Sequence, residues 1–415
     1  MQRITNSMMT SRFLSNMKRN LNNMSTIQNQ LASGKEILRA SQNPFVSTRN
    51  KQLANQINEN EQYNANIKDT SNWLDTTDTA LAQAGNVMAR IKELMVKAGN
   101  GAYSEDEIAT IKNEVVEKSK ELAQIMNTTF DGAYIFGGTK GTTKPVTVDA
   151  DGNLAYADAD GNAIKKNTDG SLDVTFENPI EITLIDPANT KVNVVAGKYS
   201  NGGIDTIKIG TDDYTISQEM DSNTPSQPTG DWKLSGGGHT YKINNETYEK
   251  INISNQYNQI GTTLKTEISQ GVVVEYNKTA VDIFEFTDDK LTDSSVNVMD
   301  EISKLINNLG ILSGDVTGDK TDALDYVNGD GLTRMDSIIQ NLLSNRAQVG
   351  TMQNRMESAM TTNEDQNYNM TDILSSSEDI DFTEKTMEYA VMQTVYTASL
   401  QTSSKVLMNT IMDYI

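Results

Sequence analysis

Between Phe45 and Ala98 the chain has no proline, and Leu53, Asn60, Ile67, Leu74, Leu81, Met88 and Met95 recur at every seventh position. A seven-residue period held this long predicts one long helix with a narrow seam, because a strand repeats every two residues and turns break any period. The companion positions taken four residues on, Ile57, Asn64, Ser71, Asp78, Gly85 and Lys92, are mostly polar. The helix is therefore not a self-sufficient two-stranded zipper and is expected to need other helices beside it.

The flanking segments repeat the pattern. Leu14, Met17, Leu21, Met24, Gln28 and Leu31 alternate steps of three and four, placing them on one face of an N-terminal helix. The stretch SQNPFVS breaks it, since Pro44 disfavours helical geometry at Asn43. After GNGAYSEDE, Ser104 with Glu107 three residues on is a capping-box signal, and Ile108, Ile111, Val115, Leu122 and Ile125 form the stripe of a third helix expected to pair antiparallel with the long one. Near the other end Met335, Ile339, Leu342, Val349, Met356 and Met360 restore near-heptad spacing, and after a polar break a last helix is expected from about Ile380. It carries two apolar rows: Met387, Val391, Thr394, Ala398 and Met408, and Tyr389, Met392, Tyr396, Ser403 and Leu407. One intrachain partner covers only one of them, so partners from outside the chain are expected.

The middle changes character. From FDGAYIFGGTKGTTKPV onward, turn-forming Gly, Asp and Asn clusters separate short alternating runs such as LDVTF, EITLI, TIKIG and GVVVEY, which read as strands. The two DADGN segments at 149–153 and 158–162 lack the twelfth-position Glu of an EF-hand and read as hairpin turns. The Asp-rich stretch 313–331 reads as a loop.

Residues 141–330 carry about 31 acidic against 14 basic side chains, while residues 1–35 hold Arg3, Arg12, Lys18, Arg19 and Lys35 with no acid. The net charge of −21 argues against nucleic acid. No run approaches the length of a membrane span, and MQRITNSMMTSRFLSNMKRN has no apolar core, so neither insertion nor a cleaved secretory signal is expected. With no cysteine, one histidine (His239, in a Gly-rich loop) and no HExxH, GxSxG or Walker motif, the chain presents no catalytic, cofactor or metal constellation and reads as a non-enzyme.

QLASGKEILRASQNP, the QYNANI segment at 62–67, ARIKELMVKAGNG at 89–101 and LSSSEDIDFTEKTMEYAVMQTVYTASLQTSSKVL together resemble the bacterial flagellin-like family. GAYIFGGTKGTTKPV and the ending MDYI are more similar to its hook-associated protein 3 branch, the hook-filament junction proteins. Gln42 and Asn43 stand where the family has an acidic pair, which puts any ionic contact there in doubt. Glu378, Asp379 and Asp381 match its acidic cluster. The resemblance covers roughly residues 1–145 and 330–415.

It implies an elongated multidomain molecule, mainly α at both termini as a long coiled-coil-like bundle, with an inserted β-rich domain. The expected division is terminal helices at 1–40 and 378–415, a helical rod at 41–140 and 295–377, and an outer β domain at 141–294. It further implies an extracellular flagellar subunit at the hook-filament junction, exported through the type III channel with a flagellar export chaperone. Its expected partners are flagellin, the other junction protein and copies of itself. Leu21, Met24, Leu31, Val391, Ala398 and Met408 are the expected intersubunit contacts, with Glu378, Asp379 and Asp381 capping or pairing at the start of the last helix. Competing readings are a flagellin filament subunit, or a glycan-binding module using Tyr199, Tyr214, Trp232, Tyr241 and Tyr248, aromatics that otherwise serve as the core of the β domain.

Overall fold

A computed structural model describes residues 6–167, 171–185, 190–200, 203–220, 228–236, 238–252, 254–291 and 294–407. The chain divides into two compact units, one formed by Met1–Ala65 with Ala359–Ile415, the other by Asn66–Ser358. In chain order the structure opens with three helices, α1 (Asn6–Ser33), α2 (Pro44–Ala98) and α3 (Glu105–Met126). Strands follow: β1 (Thr129–Phe130), β2 (Ala133–Tyr134), β3 (Val146–Val148), β4 (Leu154–Ala157), β5 (Ala163–Lys166), β6 (Leu172–Thr183), β7 (Lys191–Ser200), β8 (Gly203–Ile209), β9 (Asp212–Met220), β10 (Pro228–Gly236) and β11 (His239–Asn244). Short elements α4 (Asn245–Ile251), α5 (Ser254–Ile260), β12 (Lys265–Ser269), β13 (Val272–Glu275), α6 (Ala280–Phe284), β14 (Glu285–Thr287) and β15 (Ser295–Asn297) lead to α7 (Val298–Ser313), α8 (Lys320–Asn328), α9 (Asp330–Glu378) and α10 (Phe382–Leu407). Helical termini flank an antiparallel β-rich middle, as the sequence indicates.

The larger unit is built on the α2 seam. Ile67, Leu74, Leu81, Met88 and Met95 are essentially inaccessible. Their companion row, however, lies three residues on, not four: Thr70, Thr77, Ala84, Ile91 and Ala98 are buried, while Ser71, Asp78, Gly85 and Lys92 are only partly covered. Small residues in that row let neighbouring helices approach closely. Along α9 the matching seam is Met335, Ile338, Leu342, Asn345, Val349 and Met356. Asp78 receives Arg346 at 2.9 Å, Asp75 accepts Gln353 at 2.7 Å, and Lys92 pairs with Asp336. These contacts run in opposite chain directions, so the two helices are antiparallel here.

Ser104 and Glu107 form the expected capping box, and all five stripe residues of α3 are buried. The bond from Arg90 Nη2 to Glu114, 2.7 Å, ties α3 back to α2 as an antiparallel neighbour. Replacing Ser104 with Ala should lower the unfolding free energy by about 1 kcal/mol in urea titration, through loss of the bond to the Glu107 N–H.

The Asp-rich stretch is not a loop throughout. Residues 314–319 are irregular, but Lys320–Asn328 is helix α8, capped by Asp319 on the Thr321 N–H at 2.8 Å. Ala323 and Val327, four apart, are buried, and Tyr326 O–H donates to Glu301 at 2.9 Å. That carboxylate, itself buried, also receives Lys304 and Arg334. Burial beside Glu301 raises the Tyr326 phenol well above its ordinary value. Helix α9 is likewise continuous through the polar stretch before Glu378, so the break expected ahead of the last helix is confined to residues 379–381.

The nine-stranded sheet is a meander in strict sequence order, β3 to β11, every neighbouring pair antiparallel. LDVTF and the start of EITLI merge into one strand, β6, whose pairing with β7 shifts between Thr175 and Ile180, around Pro179. Beyond β6, the Ile185 N–H reaches the Lys242 carbonyl at 2.7 Å, covering part of the β11 edge. Both DADGN segments are hairpin turns. Asp149 accepts the Asn153 N–H at 2.8 Å and Asp158 the Asn162 N–H at 2.7 Å, with Gly152 and Gly161 at positive φ. Tyr199, Tyr214 and Tyr248 are buried, and Trp232 stacks on Tyr248 with ring centres 3.6 Å apart. His239 is exposed at the first position of β11.

Lys140, from the FGGTKG segment, is buried and donates to the carbonyls of Ala157 and Lys144. Burial pushes its ammonium down to about 8, with Asp158 opposing. Above that pH the folded state has released a proton that the unfolded chain still holds up to its ordinary value near 10.5, so this group makes stability rise with pH across that window. Wild type should gain on Lys140→Met between about pH 7 and pH 10 in paired urea titrations. A difference independent of pH contradicts this assignment.

Candidate assembly surface

In the smaller unit the two terminal helices pair with each other. Phe13, Met17, Asn20, Met24 and Leu31 of α1 are partly covered and Ile27 is buried, at alternating steps of three and four. Facing them, Lys385, Tyr389, Met392, Tyr396, Ser399 and Ser403 of α10 are partly covered at the same spacing. The expected contact residues therefore divide. Met24 and Leu31 lie on the row facing α10, whereas Leu21, Val391 and Ala398 are exposed. Met408 lies outside the described residues.

The outer side of the pair carries exposed apolar residues among polar ones. Leu14 is 58% exposed, Met387 62%, Val391 61%, and Leu21, Phe382, Val395 and Leu400 join them. Fully burying such a side chain is worth about 1.5–3 kcal/mol, so covering these residues would contribute substantially to assembly.

A clamp at one end fixes the two helices. Gly34, at φ +73° directly after α1, adopts the left-handed conformation that ends helices, and its N–H bonds to the Gln30 carbonyl at 2.7 Å. Its own carbonyl accepts the Ile380 N–H at 3.1 Å, and the Glu36 N–H reaches the Glu378 carbonyl at 2.7 Å. Lys35 pairs with Glu378. Asp381 accepts the N–H groups of Thr383 at 2.8 Å and Glu384 at 3.1 Å, and Asp379 accepts the Ser375 hydroxyl at 2.6 Å. The partners Gly34, Lys35 and Gln30 escaped the sequence reading, although Ser-Gly after a helical run marks a helix end.

Gln42 and Asn43 replace charge with neutral acceptors. Gln42 Oε1 takes the N–H groups of Leu38 at 2.8 Å and Arg39 at 3.1 Å, and Asn43 Oδ1 takes that of Val46 at 3.3 Å, ahead of Pro44 at the first turn of α2. The turn closes without an ion pair at these positions. Among the described residues no helix is long and apolar enough to cross a membrane.

The model of the bacterial flagellin N-terminal helical region matches residues 4–141, and that of the C-terminal helical region residues 332–414. A flagellin of Clostridium tyrobutyricum is 22% identical over 390 residues, 93% of this chain and 94% of that protein. Flagellar hook-associated protein 3 of Escherichia coli (strain K12) is 25% identical over 143 residues, 34% of this chain and 44% of that protein. A solved hook-associated protein 3 from Legionella pneumophila aligns over 79% of this chain and 98% of its own, at 18% identity and a TM-score of 0.42. The two helical regions that define the family account for just over half of the chain, and on them the chain belongs to the bacterial flagellin family of flagellar structural proteins.

Proposed function

We propose that this chain is a non-catalytic adapter at the hook-filament junction, linking the hook-side junction protein to flagellin. The observation that carries an assembling role is the exposed apolar row of α1 and α10, since a helix pair with this much uncovered surface is completed by neighbouring subunits. The junction position is supported by GAYIFGGTKGTTKPV and by the partial match to hook-associated protein 3. In this reading residues 1–40 and 378–415 form the assembling core, 41–140 with 295–377 a rod, and 141–294 an outward-facing domain. The chain is delivered for export by a flagellar chaperone, and Leu21, Met24, Leu31, Val391, Ala398 and Met408 contribute intersubunit contacts.

A filament subunit is the second reading, favoured by the alignment with the Clostridium flagellin over nearly the whole of both chains. Light scattering and electron microscopy distinguish them. An adapter assembles only when hook-side junction protein and flagellin are both added. Long homopolymers from the purified chain alone overturn the adapter in favour of the filament subunit.

A further inference from the structure

Within the larger unit, a cleft of about 550 Å³ lies where α2, the β1–β2 turn and the β12–β13 hairpin meet. Trp73, Phe130 and Tyr276 are on its walls, with Asp69 and Asp131. We propose that this cleft binds an organic cation, an ammonium or guanidinium group carried on an apolar stem.

Charge is the first argument. No lysine, arginine or histidine lines the cleft, and the exposed side chains of Asp69 and Asp131 have no hydrogen bond or ion pair among the described residues. Asp75 and Asp78, further along the same helix, are both engaged by α9. Two unneutralised carboxylates in one concave site concentrate negative potential there.

The aromatic walls supply the second. Trp73 meets Phe130 edge to face at 6.0 Å and Tyr276 at 5.9 Å, with its Nε1 buried and without a hydrogen-bond partner. Ring contacts hold the indole in place, and aromatic rings in an acidic cleft favour cations over anions.

Preorganisation is the third. Asp131 is the one non-glycine residue at positive φ, +48°, among the described residues, and with Gly132 it makes the tight turn between β1 and β2. That turn fixes the Asp131 backbone at the rim, and Asn66 Nδ2, bonded to the Glu267 carbonyl at 3.2 Å, fastens the hairpin to α2 on the other side. A bare metal ion is a poor fit, because no group of three or more acidic or histidine ligands occurs among the described residues. The volume falls in the ordinary range of small-ligand sites and is large enough for such an organic cation together with the residues that flank it.

Trp73 and Trp232 are the only tryptophans, so a Trp232→Phe background makes Trp73 emission a reporter of the cleft. Titration with L-argininamide at low salt should give a saturable change. Asp69→Asn combined with Asp131→Asn should weaken it about tenfold, the loss expected for two modest charge contacts. Asparagine tolerates the left-handed turn, and the exposed Asp69→Asn variant alone should give a smaller loss in the same direction if the pair perturbs folding. A blocked tripeptide with a central arginine binding more tightly than argininamide assigns the cation to a protein side chain, and equal binding assigns it to a free small molecule. Absence of a saturable response, an equal response to the uncharged N-acetyl-L-citrullinamide, or an undiminished response in the Asn variants overturns the proposal.

Discussion

Val391→Asp should abolish assembly while leaving the larger unit folded. Val391 is 61% exposed in the free chain, so the carboxylate costs the monomer little. In an assembled state that covers this row, the substitution forfeits the valine's burial, about 1.5–3 kcal/mol, and adds desolvation of an unpaired charge, several kcal/mol more. Because every subunit contributes the same surface, the penalty recurs at each contact. Scattering in the presence of partners should stay at baseline, while the urea transition of the sheet-containing unit keeps its midpoint. Normal assembly by the variant removes Val391 from the interface. Met24→Ala is a weaker probe, because Met24 lies on the row already facing α10 and neighbouring side chains can repack.

Gly138→Ala should be among the most destabilising single substitutions in the chain. Gly138 has φ +57°, and a Cβ there would lie 2.3 Å from the Gln259 carbonyl, 2.6 Å from that of Ile260 and 2.8 Å from that of Thr262. All three are backbone atoms, so no side chain can swing aside. The neighbouring Thr139 N–H bonds to the same Gln259 carbonyl at 2.9 Å, which holds the two segments together at this spacing. Relief requires separating them, and the combined strain is about 2–4 kcal/mol. Urea unfolding should show the loss, whereas Gly161→Ala, also at positive φ but in open space, should cost less. Equal effects at the two sites would mean that the close approach is not what constrains Gly138.

The anchor positions of the helices were legible because an apolar residue every seventh position survives any choice of partner. Which side of the anchor faces inward was not. In α1 the sequence spacing puts the residues four after each anchor, Leu21 and Gln28, on the seam together with Leu14. The structure turns Phe13, Asn20 and Ile27 toward α10 and leaves Leu14 and Leu21 exposed. In α2 the same choice favoured polar Ser71 and Asp78 over the small buried Thr70 and Thr77. Rows three and four residues from an anchor flank it equally, and only the partner decides between them. In α1 the two rows are equally apolar, Phe13, Asn20 and Ile27 against Leu14, Leu21 and Gln28, so composition alone does not choose between them, and the exposed row keeps two leucines for another molecule to cover.

Helix α8 was hidden because its acidic residues suggested solvated chain, and the residues that make it a helix, Asp319 as cap and Ala323 with Val327 as the buried pair, occupy only two turns. The clamp was half visible. The basic N-terminal segment and the acidic cluster before α10 are both evident in sequence, but the pairing of Lys35 with Glu378 spans 343 positions and depends on the antiparallel return of the chain.

Amide hydrogen exchange along α10, in the free chain and in the assembled state, tests the claim that this helix pair is completed by neighbouring subunits. Val391 to Leu407 should exchange rapidly in the monomer, where the inner rows are only partly covered, and become strongly protected on assembly. Strong protection already present in the isolated monomer would contradict the account.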